Sequence, residues 1–214
     1  MTTVPQLEIY KILLGFFEFI KKNDSISSNN PEDSFLHKTF SGLEFANLNY
    51  LEQARDLFTR TRNHPKNFDV RMMFDRERAH LPTMHVSMGM DSSDIIGIGQ
   101  SQGVNEKGQL EYTQVDSFQV NLIFTSDNKN EITIMYELLK SYLPALQLCF
   151  ESRGLLNVKR SGKDLSIDQS EIPTSIYMRM MTLSGQYESK SPAMEELLNI
   201  ASEITSEVNK IEIC

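Results

Sequence analysis

The glycine-rich run at residues 97–103 (GIGQSQG) is the first part of the chain with a pattern that could bind a ligand. Gly97 and Gly99 have the spacing that opens a G-x-G-x-x-G dinucleotide loop, but residue 102, where the third glycine belongs, is Gln. No capped helix follows that could direct its N-terminus at a phosphate. The pattern therefore favours a flexible connection between strands.

His80 and His85, with Asp75 and Glu77, bring metal-ligand residue types within eleven positions. A strand over residues 83–88 would direct His85 to the face opposite Met84 and Val86. Nothing in this spacing fixes a coordination geometry. We expect a solvent-facing or interface histidine here and no metal site.

The sequence offers no nucleophile in an activating context. No serine lies in a Gly-x-Ser-x-Gly elbow. Cys149 falls in the apolar stripe of a predicted helix, where a thiol is an inert small hydrophobe. The carboxylates Asp164 and Asp168 lie in a polar stretch that favours solvation. We therefore predict no catalytic residue and no cofactor, and an enzyme acting on nucleotides or small molecules is the remote alternative.

Residues 60–78 form a locally basic stretch of the chain. It is a candidate contact surface for an acidic neighbour, with nucleic acid or a plain solvated face as the alternatives. The arginines of this candidate surface are Arg60, Arg62, Arg71, Arg76 and Arg78.

Composition places these residues in an ordinary globular chain. The 214 residues are 40% hydrophobic and 23% charged, which fits one domain with an appendage. A formal net charge of −8 argues against a protein that grips a phosphate backbone. Two cysteines supply no disulfide framework, which fits synthesis in a reducing compartment. The apolar run at residues 9–20 is too short to span a bilayer and lacks signal-peptide flanks, so no membrane association is expected.

The first half of the chain changes from helical to strand periodicity. Pro5 opens an apolar helix, and we predict an N-terminal helical arm over residues 1–22. A polar linker is predicted over residues 23–47, and the α/β core domain over residues 48–190. That core begins with a helix near residues 48–61, and alternating residues then predict strands at 68–74, 84–88 and 118–124.

A long helix is predicted after the strand at 118–124. Asp127 or Asn128 can cap it, and Glu131 lies where a first-turn carboxylate meets free N–H groups. Pro144 should kink this helix and Gly154 should end it. A short strand at residues 155–159, a polar excursion from 161 to 171 and a long strand at 176–187 complete the core.

The sequence as a whole predicts an α/β (α+β) fold. We expect a mixed or antiparallel sheet with helices packed on one side and with N- and C-terminal helical arms. Residues 191–214 form the predicted acidic C-terminal helix, with an a/d seam from Met194 to Ile211 and five glutamates against one lysine. The eleven methionines indicate either a Met-rich sheet core or strands covered by another subunit. The candidate subunit-interface residues on the two arms are Leu13, Phe16, Phe17, Leu197, Ile204 and Val208.

The second half of the chain carries a recognisable order of elements. A strand leads into residues 126–131 (SDNKNE), a long helix ends at 151–154 (ESRG), residues 161–165 (SGKDL) follow, and residues 172–179 (IPTSIYMR) open a long strand. This order resembles the neck proteins of tailed bacteriophages and is most similar to the tail terminator family. Members of that family are small α/β proteins whose ring, usually a hexamer, closes the tail tube and joins it to the head.

The resemblance implies a structural virion protein rather than an enzyme. Its partners would be copies of itself in a homo-oligomeric ring and the tail tube and head-tail connector proteins. DNA would pass through the ring without specific binding. The protein would be made in the host cytoplasm and reside in the neck of the virion. A head-to-tail adaptor, a stopper or another phage interaction module is the alternative.

Overall fold

The computed structural model describes residues 4–26, 30–45, 48–60, 64–72, 81–93, 101–104, 110–164 and 176–190. Its α-helices are α1 (Pro5–Ile26), α2 (Phe35–Phe40), α3 (Tyr50–Thr59) and α4 (Lys129–Ser152), with a 3-10 turn at Pro31–Asp33. Its strands are β1 (Glu44–Phe45), β2 (Leu48–Asn49), β3 (Asp69–Met72), β4 (Thr83–Ser93), β5 (Ser101–Val104), β6 (Leu110–Ser126), β7 (Leu155–Asp164) and β8 (Tyr177–Lys190).

A mixed sheet forms the centre of the molecule, in the order β3-β4-β6-β8-β7. β3 runs parallel to β4, and the other neighbours are antiparallel. β5 pairs with the first residues of β6, beyond the end of β4. A separate two-stranded ribbon joins β1 and β2. The predicted α+β class with a mixed sheet is confirmed.

Alternation along β6 decides which face of the sheet is buried. Val120, Leu122 and Phe124 are fully buried, whereas Asn121 and Ile123 between them are only half-buried. The helices pack on the buried face, where the ring centroids of Phe124 and Tyr136 of α4 lie 5.8 Å apart. This face and the helices share one apolar core.

The helices begin and end where their terminal residues dictate. Asn128 is the N-cap of α4, and its side-chain oxygen accepts a hydrogen bond from the N–H of Asn130. α4 continues through Pro144, and Gly154 follows the helix with a φ of +77°, a conformation that favours glycine. Pro5 lies in the first turn of α1, as its missing N–H allows.

The predicted N-terminal arm is instead part of the core domain. Ile9, Leu13 and Ile20 of α1 are fully buried, and the Gln6 side chain donates a hydrogen bond to the Val86 carbonyl of β4 at 3.0 Å. The apolar residues of α1 that face the sheet are therefore covered within its own chain. The breadth of this surface predicts correctly that it is covered, but the residues belong to the core rather than to an arm.

The predicted linker over residues 23–47 is wrong for its described second half. Ser34 caps α2 by accepting a hydrogen bond from the His37 N–H, and Leu36 and Phe40 are buried. Such a short helix gives no clear helical periodicity in the sequence, because only two of its six residues face the core.

Two strand predictions also change. Ser101–Val104, expected in a flexible connection, forms β5, and residues 161–164, expected in a polar excursion, continue β7. Both segments are polar because they lie at the periphery of the sheet, where the ladder hydrogen bonds are backbone bonds and side chains need not be apolar. Residues 165–175 and the predicted C-terminal helix at 191–214 lie outside the described residues.

Candidate assembly surface

The predicted capping residues and one predicted contact arginine meet at the N-terminus of α4. Glu131 accepts a hydrogen bond from the Ser126 hydroxyl at 2.5 Å and from Arg60 Nη1 at 3.0 Å. Arg60 also donates to Asp56 at 2.6 Å and to the Lys66 carbonyl at 2.9 Å. This cluster ties α3, the segment before β3 and the start of α4 together.

Burial makes this cluster structural. The side chains of Arg60 and Glu131 are only 12% and 7% exposed. Burial alone would lower the pKa of Arg60, but the hydrogen bonds that it donates to Asp56 and Glu131, and the charges of these carboxylates, raise it above its ordinary value. A paired, hydrogen-bonded arginine of this kind is unavailable to an external partner.

The predicted basic contact surface is therefore wrong for the arginines that the structure describes. Arg60 is held in the cluster above, and the Arg71 side chain, 12% exposed, contacts Asp69 at 2.8 Å. Local positive charge in the sequence is neutralised here by carboxylates that are near in space. Arg62, Arg76 and Arg78 lie outside the described residues.

Asp127, the alternative cap, has a different partner. Its carboxylate accepts a hydrogen bond from Lys66 Nζ at 2.8 Å. That bond and the lysine charge hold the pKa of Asp127 below its ordinary value. The three residues predicted around the helix start thus have separate roles: Asn128 caps, Glu131 is buried in the ion-pair cluster, and Asp127 pairs with Lys66 near the surface.

The predicted interface residues of the first helix are also buried inside the chain. Leu13, Phe16 and Phe17 are at most 8% exposed. Phe17 lies between Phe58 and Phe68, with ring centroids at 5.8 and 4.7 Å. These three side chains are core residues, and their prediction as a subunit interface is corrected. Leu197, Ile204 and Val208 lie outside the described residues.

The sheet face away from the core carries a mixed set of half-buried side chains. His85 and Met180 are both partners of Ile123 in the ladders, and Thr182 donates a hydrogen bond to Asn121 at 2.8 Å. Burial, and then the charge of Arg71, lower the pKa of His85. A neutral imidazole beside Ile123 and Met180 suits a packing surface better than it suits acid–base chemistry.

The methionines divide between the two faces of the sheet. Met84 and Met181 are fully buried in the core and Met88 packs against it, whereas Met178 and Met180 are half-buried on the opposite face and Met90 is 57% exposed. The sheet-core alternative accounts for Met84 and Met181, and the second alternative, strands covered by another subunit, stays a prediction.

β7 is the most exposed element of the sheet. After the buried Leu155, the strand is exposed at every residue except the half-buried Val158. Among the described strands it pairs only with β8, and a register shift interrupts that pairing between Leu156 and Lys159. Its exposed side chains carry a net positive charge, from Lys159, Arg160 and Lys163 against one acidic residue, Asp164. This basic edge contrasts with the net negative charge of the chain.

β6 and β8 are the longest strands that the structure describes. β6 has 17 residues and β8 has 14. The hydroxyl of Tyr187 in β8 donates a hydrogen bond to the Asp91 carboxylate of β4 at 3.2 Å. Burial, and then the charges of Asp91 and Asp116, raise the pKa of Tyr187 to about 12. Tyr187 is therefore a protonated hydrogen-bond donor that fixes β8 to β4.

The described part of the chain holds no candidate metal centre. Within it, no three His, Cys, Asp or Glu side chains approach one another as metal ligands. His80, Asp75 and Glu77 of the considered metal group lie outside the described ranges, as do Gly97, Gly99 and Asp168. Cys149, expected as an inert buried thiol, is exposed, because it lies at the edge of the apolar stripe of α4. None of the helices in the described part of the chain is long and apolar enough to cross a membrane.

Comparisons with known proteins add no family. A scan against protein-family models finds no match, and a search of curated proteins finds no significant relative.

Proposed function

We propose that this protein is a structural protomer of a bacteriophage neck ring, a tail terminator that caps the tail tube and joins it to the head. The observation that carries the proposal is the exposed basic edge of the sheet, β7, beside the long strand β8. The order of elements over residues 118–191 supplies the resemblance, and the mixed sheet with helices on one face agrees with it.

A closed ring needs two different complementary surfaces on each protomer, because its contacts are head-to-tail. β7 offers one of them. Its charges and its interrupted pairing are the devices by which edge strands avoid indiscriminate strand addition. A contact through the side chains of this edge, with an acidic surface of the next protomer, is therefore favoured over continuous sheet pairing.

The net charge agrees with a passage for DNA. A conduit must not retain the DNA that moves through it, and phosphate binding depends on clustered basic residues. A formal charge of −8 makes the assembled ring repel a phosphate backbone overall. The basic residues of β7 would be covered by the neighbouring protomer in this arrangement.

Native mass spectrometry of the full chain tests the proposal through β7. We expect a closed oligomer, with a hexamer as the leading expectation, and we expect Lys159→Glu/Arg160→Glu/Lys163→Glu to shift it to monomer. The matched control is Lys22→Glu/Lys38→Glu/Lys129→Glu, which makes the same change of charge on exposed helical positions and should leave the oligomer intact. Equal loss in both triple variants would show a general charge effect and would count against β7.

Retention of partners separates the neighbouring roles. A terminator should bind tail tubes, whereas a head-to-tail adaptor should bind the portal and leave tubes bare. Pull-down of the full chain with each partner in turn distinguishes the two.

A further inference from the structure

An open apolar groove runs between α1 and the C-terminal half of α4. It has a volume of about 470 Å³, and Ile12, Gly15, Tyr142, Leu146 and Cys149 are among the residues that line it. We name this the α1/α4 groove. It is separate from β7, which lies at the edge of the sheet.

Aromatic rings close the far end of the groove. Phe35 lies between Phe19 and Tyr142, with ring centroids at 5.3 and 4.9 Å, and the Tyr142 hydroxyl donates to the Phe35 carbonyl at 3.1 Å. Phe19 is nevertheless 51% exposed. A preformed apolar end with an exposed ring is suited to receive another apolar side chain.

The wall of the groove formed by α1 has room for a guest. A Cβ atom added at Gly15 would meet nothing within 4 Å. Glycine in the middle of a helix is destabilising by about 0.5–1 kcal/mol relative to alanine. The absence of a side chain at this position therefore keeps the groove open at a cost to the helix.

We propose that the C-terminal segment of the same chain docks in the α1/α4 groove as an amphipathic helix. Its seam, from Met194 to Ile211, repeats apolar residues at spacings of 3 and 4. A helix with that stripe buries it against an apolar surface. With fewer than three full heptads, the stripe is too short for an independent coiled coil.

The path of the chain brings this segment to the groove. Tyr187 of β8 pairs with Leu155, which comes directly after the turn that ends α4. β8 therefore ends on the same side of the molecule as Ser152 and Arg153, which line the near end of the groove. The chain continues from this end of the sheet after Lys190, and a helix that ran back from here along α4 would be antiparallel to it.

Charge favours the same occupant. Lys11 and Arg153 lie at the near end of the groove, and both contact one carboxylate, Glu8, at 2.8 and 3.7 Å. That leaves one positive charge in excess. Glu195 and Glu196 open the C-terminal segment, so an antiparallel helix would place them beside Arg153.

Disulfide trapping in the full chain tests the docking. Cys214→Ser leaves Cys149 as the sole native thiol, and single changes Leu197→Cys, Ala201→Cys or Ile204→Cys then sample the seam. Because a disulfide requires Cα atoms within about 7 Å, we expect rapid intramolecular oxidation at one seam position. The matched controls, Asn199→Cys and Ser206→Cys, lie off the seam. Their oxidation should be at least about tenfold slower, which corresponds to a docking free energy of about 1.4 kcal/mol.

The outcomes are distinct from those of the ring proposal. Equal oxidation at seam and off-seam positions would overturn the docking, and so would disulfides that join two chains. Intramolecular trapping in a protein that never forms a ring would retain the docking and count against the ring. Trapping measures contact within one chain, whereas mass measures assembly.

Reactivity of Cys149 gives a second readout in case a cysteine variant fails to fold. In the Cys214→Ser chain, docking should protect this thiol from a maleimide, and Gly15→Phe should fill the groove and raise the labelling rate about tenfold. Gly15→Ala is the control, since it adds only a methyl group and should leave labelling slow. Fast labelling of Cys149 in the chain without a change at Gly15 would overturn the docking.

Discussion

At its N-terminal end, α4 places Glu131, 7% exposed in its side chain, against Arg60 and the Ser126 hydroxyl. Toward its C-terminal end the same helix leaves Leu148 75% exposed and Cys149 at the surface. The first region is completed by groups of its own chain, and the second leaves an apolar groove open. The contrast separates a part of the helix that stabilises the fold from a part that is available for binding.

The largest effect should come from Arg60→Ala at the closed end. The substitution leaves Glu131 buried without its cation, and removal of one partner of a buried pair costs about 3–5 kcal/mol. Urea unfolding of the variant should show that loss. Lys140→Ala is the control, because its pair with Glu137 is more than a third exposed in both partners, and it should cost less than about 1 kcal/mol.

A second variant tells a specific pair from general packing. Arg60→Met combined with Glu131→Leu removes both charges, and we expect it to recover most of the stability lost in Arg60→Ala. A double variant as unstable as Arg60→Ala would contradict the explanation that the uncompensated charge of Glu131 causes the loss of stability.

Gly162→Ala should have the next largest effect, where β7 contacts Tyr136 in the N-terminal half of α4. A Cβ at Gly162 of β7 would overlap the Tyr136 hydroxyl, and Tyr136 is fixed by Phe124 and by Arg179, whose guanidinium carbon lies 3.7 Å from its ring centroid. Overpacking of this kind costs about 1–3 kcal/mol. Tyr136→Phe should restore part of the thermal stability of Gly162→Ala, whereas an unchanged melting temperature in Gly162→Ala itself would contradict the close contact.

Asn128→Ala should cost about 1 kcal/mol, since it removes the side-chain acceptor at the start of α4. Thermal unfolding measures the change. Asn130→Ala, two residues further along, removes no cap and should be nearly neutral. A larger effect at Asn130 than at Asn128 would contradict the cap assignment.

The Lys66–Asp127 pair should give a smaller effect that depends on pH. Because the pKa of Asp127 is lowered in the folded chain, the contribution is present above the unfolded-state pKa of about 4 and is lost as pH falls through the folded-state pKa. Exposure limits it to about 0.5 kcal/mol. The difference in stability between the wild type and Asp127→Asn should vanish by about pH 2, and a difference that grows on acidification would contradict the sign.

Leu148→Ser at the open end should change the free energy of unfolding least, within about 0.5 kcal/mol. Leu148 does not line the α1/α4 groove, so a loss as large as that of Asn128→Ala would show that Leu148 is covered elsewhere within the chain, and the comparison between the two ends of α4 would no longer hold. Denaturant unfolding of both variants under one set of conditions provides the measurement.

Sequence periodicity was sufficient for the sheet and the long helix. The alternation from Phe118 to Phe124 and the cap at Asn128 are local patterns, and local patterns predict elements well. What the periodicity could not show is which elements share a core. Leu13 and Phe17 give the same apolar pattern whether they contact another subunit or their own sheet. Only the three-dimensional path of the chain shows that they are buried in their own core.

The candidate surfaces depended on information that is distant along the chain. Arg60 reads as a free basic residue until Glu131, 71 positions later, is brought to 3.0 Å from it. The second half of β7 was equally hidden, because the polar residues at 161–164 look like a loop. The apolar residues of α4 did carry a usable signal, since Leu148 and Cys149 widen the stripe beyond what one core face needs.

Electron microscopy of the full chain mixed with purified phage tail tubes tests the central claim most directly. The proposed role predicts a closed ring of this protein at one end of each tube, in register with the tube subunits. Bare tube ends together with a strictly monomeric protein in solution would contradict it.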